Sequence, residues 1–122
     1  MHAVLIVDDH PEIRHLLRIA VGKEVTLLEA EDGPGALAQV ERHHPSVVFL
    51  DVMMPGPMDG FQVLQAIRAD PANRQTIVAL ITARSQVADH DKALACGANA
   101  YFTKPFSPFK VGKWLQEHLG RP

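Results

Sequence analysis

Three apolar runs in this chain, Ala3–Val7, Val47–Leu50 and Ile77–Ile81, carry no polar residue at all. A strand with one wet face alternates apolar and polar residues, because successive side chains point to opposite faces. Unbroken runs therefore predict strands buried on both faces, as at the centre of a parallel sheet covered by helices. Two further runs complete the set. Val25–Leu28 is more mixed and leads into Glu29, which suits a sheet edge, and Ala98–Phe102 is the fifth.

Helical periodicity fills the gaps. Ile13, Leu16, Leu17 and Ala20 fall at i, i+3, i+4 and i+7, leaving Arg14, His15 and Arg18 for the outer face. Leu37 with Val40, and then Val63, Leu64 and Ile67, mark the next two helices. In Gln86–Ala95 only Val87 and Leu94 are large and apolar, which predicts a thin buried stripe and low local stability. Val111, Trp114, Leu115 and Leu119 carry the last helix, with Ser107 as its cap and Pro108 in its first turn. Strand and helix alternate five times over 122 residues. The expected architecture is one α/β domain over residues 1–122, three-layered and doubly wound around a five-stranded parallel sheet.

Several function classes drop out. The longest apolar runs are five residues, far short of the roughly 20 needed to cross a bilayer, so no membrane insertion is expected. The single cysteine, Cys96, forms no internal disulfide, and Met-His-Ala opens no secretory signal, so a cytoplasmic location is expected. Fourteen acidic against twelve basic residues leave no electrostatic footprint for direct nucleic-acid binding. No output segment follows the last helix, so the chain reads as a stand-alone unit or a part of a longer protein.

In an open parallel sheet, ligands bind beyond the carboxyl ends of the strands. Here those ends carry Asp8-Asp9, Asp51, Thr82 and, near the fifth, Lys104. Each has a plainer reading. Asp9 with Glu12 matches a helix capping box, Asp51 starts a turn, Thr82 ends a strand, and Lys104 alone reads as a solvated lysine. Their joint placement on one sheet edge favours a site. Carboxylates about 5 Å apart repel by roughly 3 kcal/mol at an effective dielectric near 20, so a cation belongs among them. Oxygen ligands open to solvent suit Mg²⁺, and a carboxylate beside it can attack phosphorus. Of the seven histidines, none has metal-ligand spacing, and His10 alone lies beside the acidic site.

In these features the chain resembles the response-regulator receiver domain of two-component signalling, from Val4 to Leu119. The resemblance is carried by Val7-Asp8-Asp9, Asp51-Val52-Met53-Met54-Pro55, Met58-Asp59-Gly60, Thr82-Ala83 and Lys104-Pro105-Phe106, with Asp32-Gly33, Gly97-Ala98 and Tyr101 as lesser marks. It implies a flavodoxin-like strand order 2-1-3-4-5, an order for which a member of this family is a standard example. It implies Asp51 as the phosphoacceptor, and Mg²⁺ held by Asp8, Asp9, Asp51 and the backbone carbonyl of Met53. Thr82 and Tyr101 resemble the switch pair, and Lys104, with a cis peptide to Pro105, the lysine that meets the phosphoryl group. The implied partners are a histidine kinase or histidine phosphotransfer protein and a downstream protein, met on the face of the fourth helix, fifth strand and fifth helix. The alternative is a pseudo-receiver that binds partners without phosphorylation.

Two departures from the family pattern stand out. Gly56-Pro57 place two residues between Pro55 and Met58 where the pattern has one. Met53 and Arg84, two beyond Asp51 and Thr82, are neither carboxylate nor amide, so neither orients an attacking water, which predicts a long-lived phosphorylated state.

Overall fold

The continuous apolar runs become the central strands of a parallel sheet in the computed structural model, which describes residues 2–83 and 87–119. The elements are β1 (Ala3–Val7), α1 (Pro11–Val21), β2 (Thr26–Ala30), α2 (Gly33–His43), β3 (Val47–Asp51), α3 (Gly60–Ala69), β4 (Ile77–Thr82), α4 (Val87–Ala95), β5 (Ala100–Thr103) and α5 (Pro108–Leu119), with one 3₁₀ turn at Pro71–Asn73. The strand order is β2-β1-β3-β4-β5, the expected doubly wound arrangement. Every paired strand is parallel.

The period of two explains why the inner strands lack polar residues. Leu5, Val7, Val48, Leu50, Val78 and Leu80 face one buried cluster, which includes Val40, Leu64, Ile67 and Ala93 of α2, α3 and α4. Their neighbours Val4, Ile6, Val47, Phe49, Ala79 and Ile81 face a second cluster with Leu17 of α1 and Val111 and Leu115 of α5. Trp114 completes that layer, edge-on to Phe49 and Phe102 at 5.8 and 5.6 Å.

Several sequence readings need correction. β2 begins at Thr26 and runs on to Ala30, paired with Ala3–Val7 of β1, and the Glu29 carboxylate is held by Arg14 and Arg18 at 3.1 and 2.8 Å. Arg14 is therefore not an outer-face residue. β5 starts at Ala100, not Ala98. Ahead of it the N–H groups of Gly97 and Ala98 close the end of α4 on Leu94 and Ala93, with Gly97 at φ +96°. Leu16 sits past the edge of the buried face of α1, which centres on Leu17. Leu94 is 53% exposed, and among the described side chains of α4 the buried one is the small Ala93. Gln86 and the Val87 side chain, the other parts of that reading, lie outside the described residues.

The loop after β3 carries its extra residue at the surface. Pro55, Gly56 and Pro57 are exposed, with Gly56 at φ +91°, while Met54 and Met58 pack partly on the first cluster. Asp59 and Gln62 then form a reciprocal capping box for α3. Gly60 packs directly on the backbone below the site: a Cβ there would lie 2.3 Å from the Asp51 carbonyl oxygen. Gly60→Ala is expected to destabilise the domain by about 2–3 kcal/mol through overpacking. A urea titration checks this, and an unchanged midpoint would contradict it.

Candidate functional site

Backbone pairing continues past the strands and fixes the residues at their carboxyl ends. Asp8 N–H donates to the Ala30 carbonyl, Val52 N–H to Ile81, and Lys104 N–H to Thr82. Asp8, Asp51 and Thr82 are consequently 1%, 2% and 0% exposed. The Lys104–Pro105 peptide is cis, and the lysine is no solvated surface group: Nζ donates to Asp8 Oδ2 at 3.0 Å and pairs with Asp51 Oδ1 at 3.4 Å.

Asp8 is held from several sides. Its Oδ1 accepts from the His10 N–H at 2.9 Å and lies 3.1 Å from His10 Nδ1, while Arg14 donates to its carbonyl at 2.8 Å. Asp51 Oδ1 accepts from the Met53 N–H at 3.3 Å. Asp51 Oδ2 and Asp9 Oδ1 are buried with no hydrogen-bond partner. The capping-box reading of Asp9 fails, because the residue capping α1 is His10, which makes no side-chain cap bond. Asp9 is left to the site.

One ligand atom from each of Asp8, Asp9, His10 and Asp51 lies within 4.8 Å of the others. At that spacing two unit charges repel by about 3 kcal/mol at an effective dielectric near 20. Lys104 offers one ammonium against three carboxylates. Burial, and then the charge of Asp8, push the Asp51 carboxyl above the usual range, against the pull of Lys104 and the Met53 N–H. The hydrogen bond to Asp8, and then the charge of Asp9, raise His10. Two orphaned carboxylate oxygens in an under-neutralised acidic cluster fit a hard divalent cation.

Because the folded-state pKa of Asp51 lies above its unfolded value, the native state binds more protons in the window between them. Metal-free stability should rise as pH falls through the raised value. Asp51→Asn should raise metal-free stability at neutral pH, and this gain should shrink on acidification. Thermal melts in a chelator from neutral to acidic pH test both halves. A destabilised variant at neutral pH would contradict the charge balance.

The residues expected from the sequence thus split in two. Asp8, Asp9, Asp51 and Lys104 converge directly, and Thr82 is buried at the adjacent strand end. Tyr101 is half-buried on β5, opposite Leu80 in register. Met53 meets Asp51 through its amide while its side chain is 55% exposed. Arg84 lies outside the described residues. Sequence reasoning missed Arg14, whose helical spacing resembled that of any exposed residue.

A family model, the response regulator receiver domain, matches residues 4–116. The chain belongs to that family. This receiver domain is 38% identical over 126 residues to the transcriptional regulatory protein TrcR of Mycobacterium tuberculosis, covering 98% of this chain and 48% of that protein. It is 41% identical over 103 residues to the response regulator PleD of Caulobacter vibrioides, covering 84% of this chain and 22% of PleD. The receiver domain thus spans about half the length of the first relative and less of the second. The chemotaxis response regulator CheY4 of Vibrio cholerae has the same fold, with a TM-score of 0.86, 30% identity, and 97% and 98% of the two chains covered. Among the described residues of this receiver domain, no helix is long and apolar enough to cross a membrane.

Proposed function

We propose that residues 1–122 form one phosphoacceptor domain, in which Asp51 takes a phosphoryl group from the phosphohistidine of a histidine kinase or histidine phosphotransfer protein. The observation that carries this reading is the buried, unpartnered Asp51 Oδ2 beside Lys104 and the acidic pair. An ionised carboxylate oxygen that gives its lone pairs to no hydrogen bond keeps them for phosphorus, and a neighbouring cation activates it. It forms the new bond to phosphorus while the phosphorus–nitrogen bond breaks, and the departing imidazole keeps the electron pair and takes up a proton.

Asp8, Asp9 and Asp51, with the Met53 carbonyl, would hold Mg²⁺. When bound, the ion supplies positive charge against the phosphoryl oxygens. Lys104, within 3.4 Å of Asp51, meets the incoming phosphoryl charge and steadies Asp51 during transfer. Thr82, at the end of the neighbouring strand, supplies a hydroxyl for the same oxygens, and Tyr101 follows it. The pseudo-receiver alternative is not favoured, because neither the acidic residues nor the lysine is missing. The domain is no metabolic enzyme; the self-catalysed transfer and its hydrolysis belong to the signal.

The response would be read on α4, β5 and α5. Among the described side chains of α4, Ala93 is the buried apolar one, and Lys92 sits 4.3 Å from the centre of the Phe61 ring. The modest differential energy of one phosphoryl group would shift this helix. The downstream partner is a protein, with no direct nucleic-acid contact, and the setting is cytoplasmic. Incubation with acetyl phosphate tests the chemistry. Labelling should require a divalent cation and fall sharply in Asp9→Asn; labelling that ignores both would contradict the reading.

A further inference from the structure

His10 has no task in that chemistry, yet it stands inside the acidic cluster. Its N–H donates to Asp8 Oδ1 at 2.9 Å, which fixes where the ring hangs. Nδ1 lies 3.1 Å from Asp8 Oδ1 and 3.3 Å from Asp9 Oδ1. Adjacent ligands around an octahedral ion with bonds of about 2.1 Å stand about 3.0 Å apart, the square root of two times the bond length. Both nitrogen–oxygen spacings are close to that edge.

A hydrogen bond to Asp8 accounts for the first spacing, and the second is an ion-pair distance with no hydrogen bond. Asp9 Oδ1 stays without a hydrogen-bond partner although the imidazole nitrogen is beside it. Independently, Asp51 is 2% exposed and its Oδ2 is unpartnered within the same group. Three carboxylates and an imidazole nitrogen, one atom from each within 4.8 Å of the rest, make a mixed oxygen–nitrogen donor set.

We propose that His10 is a nitrogen ligand of the cation held by Asp8, Asp9 and Asp51, so that the site prefers a divalent first-row transition ion to Mg²⁺. The proposal rests on the cation site of the proposed function and adds to it one ligand and a metal preference. Mg²⁺ takes oxygen and keeps its water, so an imidazole adds little to its binding. Co²⁺, Ni²⁺ and Zn²⁺ bind imidazole well. Oxygen-only sites also favour these ions somewhat over Mg²⁺, so the decisive quantity is the share of the preference that His10 carries.

Calorimetric titration of the full chain with Mg²⁺ and with Co²⁺, at one pH, measures that share. Removing the imidazole should weaken Co²⁺ binding by at least about tenfold in both His10→Ala and His10→Asn, and change Mg²⁺ binding by less than about twofold. His10→Asn keeps a short hydrogen-bonding side chain, so a loss in both variants points to metal ligation. Proton spectra of the Co²⁺-loaded wild type should show one strongly shifted imidazole signal that both variants lack. Unchanged Co²⁺ affinity in the variants, or absence of that signal, overturns the role of His10 while leaving the cation site in place. Mg²⁺ and Co²⁺ affinities that both ignore Asp9→Asn would remove the cation site itself, and the proposed function with it.

Discussion

Replacing Lys104 with alanine should destabilise the metal-free domain by about 3 kcal/mol, the low end of the cost of removing one partner from a buried ion pair. The Lys104 side chain is 18% exposed and its ammonium meets two carboxylates that are almost fully buried, at 3.0 and 3.4 Å. Without it, Asp8 and Asp51 face each other and Asp9 with no lysine between them. The deficit should appear as a lower urea midpoint at an unchanged slope. Millimolar Mg²⁺ should restore more stability to the variant than it adds to the wild type, because the cation meets more uncompensated charge there. In an Asp51→Asn background the same lysine substitution should cost less, since one of the two stranded carboxylates has gone. A Lys104→Ala domain as stable as wild type would mean that the ion pairs do not hold the site together.

The phosphorylated state should be long-lived, and Met53→Asn should shorten it by at least about tenfold, the scale on which placing one water matters. Hydrolysis of an acyl phosphate needs a water in line with the leaving carboxylate. Met53 is two residues beyond Asp51 and presents a half-exposed thioether, a weak acceptor that cannot fix a water. An amide at that position donates and accepts. The decay of the labelled fraction after removal of the phosphodonor gives the rate directly. Equal decay of the two proteins would place the control of lifetime elsewhere, with the exposed Pro55–Pro57 segment the next place to look.

What was legible in the sequence followed from physics that acts locally. β1, β3 and β4 are apolar throughout because both of their faces are covered, and that pattern alone gives the sheet centre and points to its carboxyl edge. The site residues lie on that edge because they follow those strands directly. The errors arose where a third element decides the outcome. Arg14 has the spacing of an outer-face residue, but Glu29 and the Asp8 carbonyl draw it across the top of β1 and β2. Leu94 has the large apolar side chain, yet it is the small Ala93 that is buried. Ala98 is apolar because its side chain is buried in the first cluster just past α4, not because it starts a strand. Arg68 carried no signal at all. It donates to the carbonyls of Asn73, Thr76 and Gly97 and to the Asn99 side chain, tying the loop before β4 to the loop before β5.

In the proposed function Asp51 is the residue that takes the phosphoryl group. Intact-mass measurement of wild type and Asp51→Asn after incubation with acetyl phosphate and Mg²⁺ tests it most directly. The account predicts a single added phosphoryl group on the wild type, none on Asp51→Asn, and an unmodified fold in the variant by circular dichroism. Equal labelling of the two proteins would contradict it.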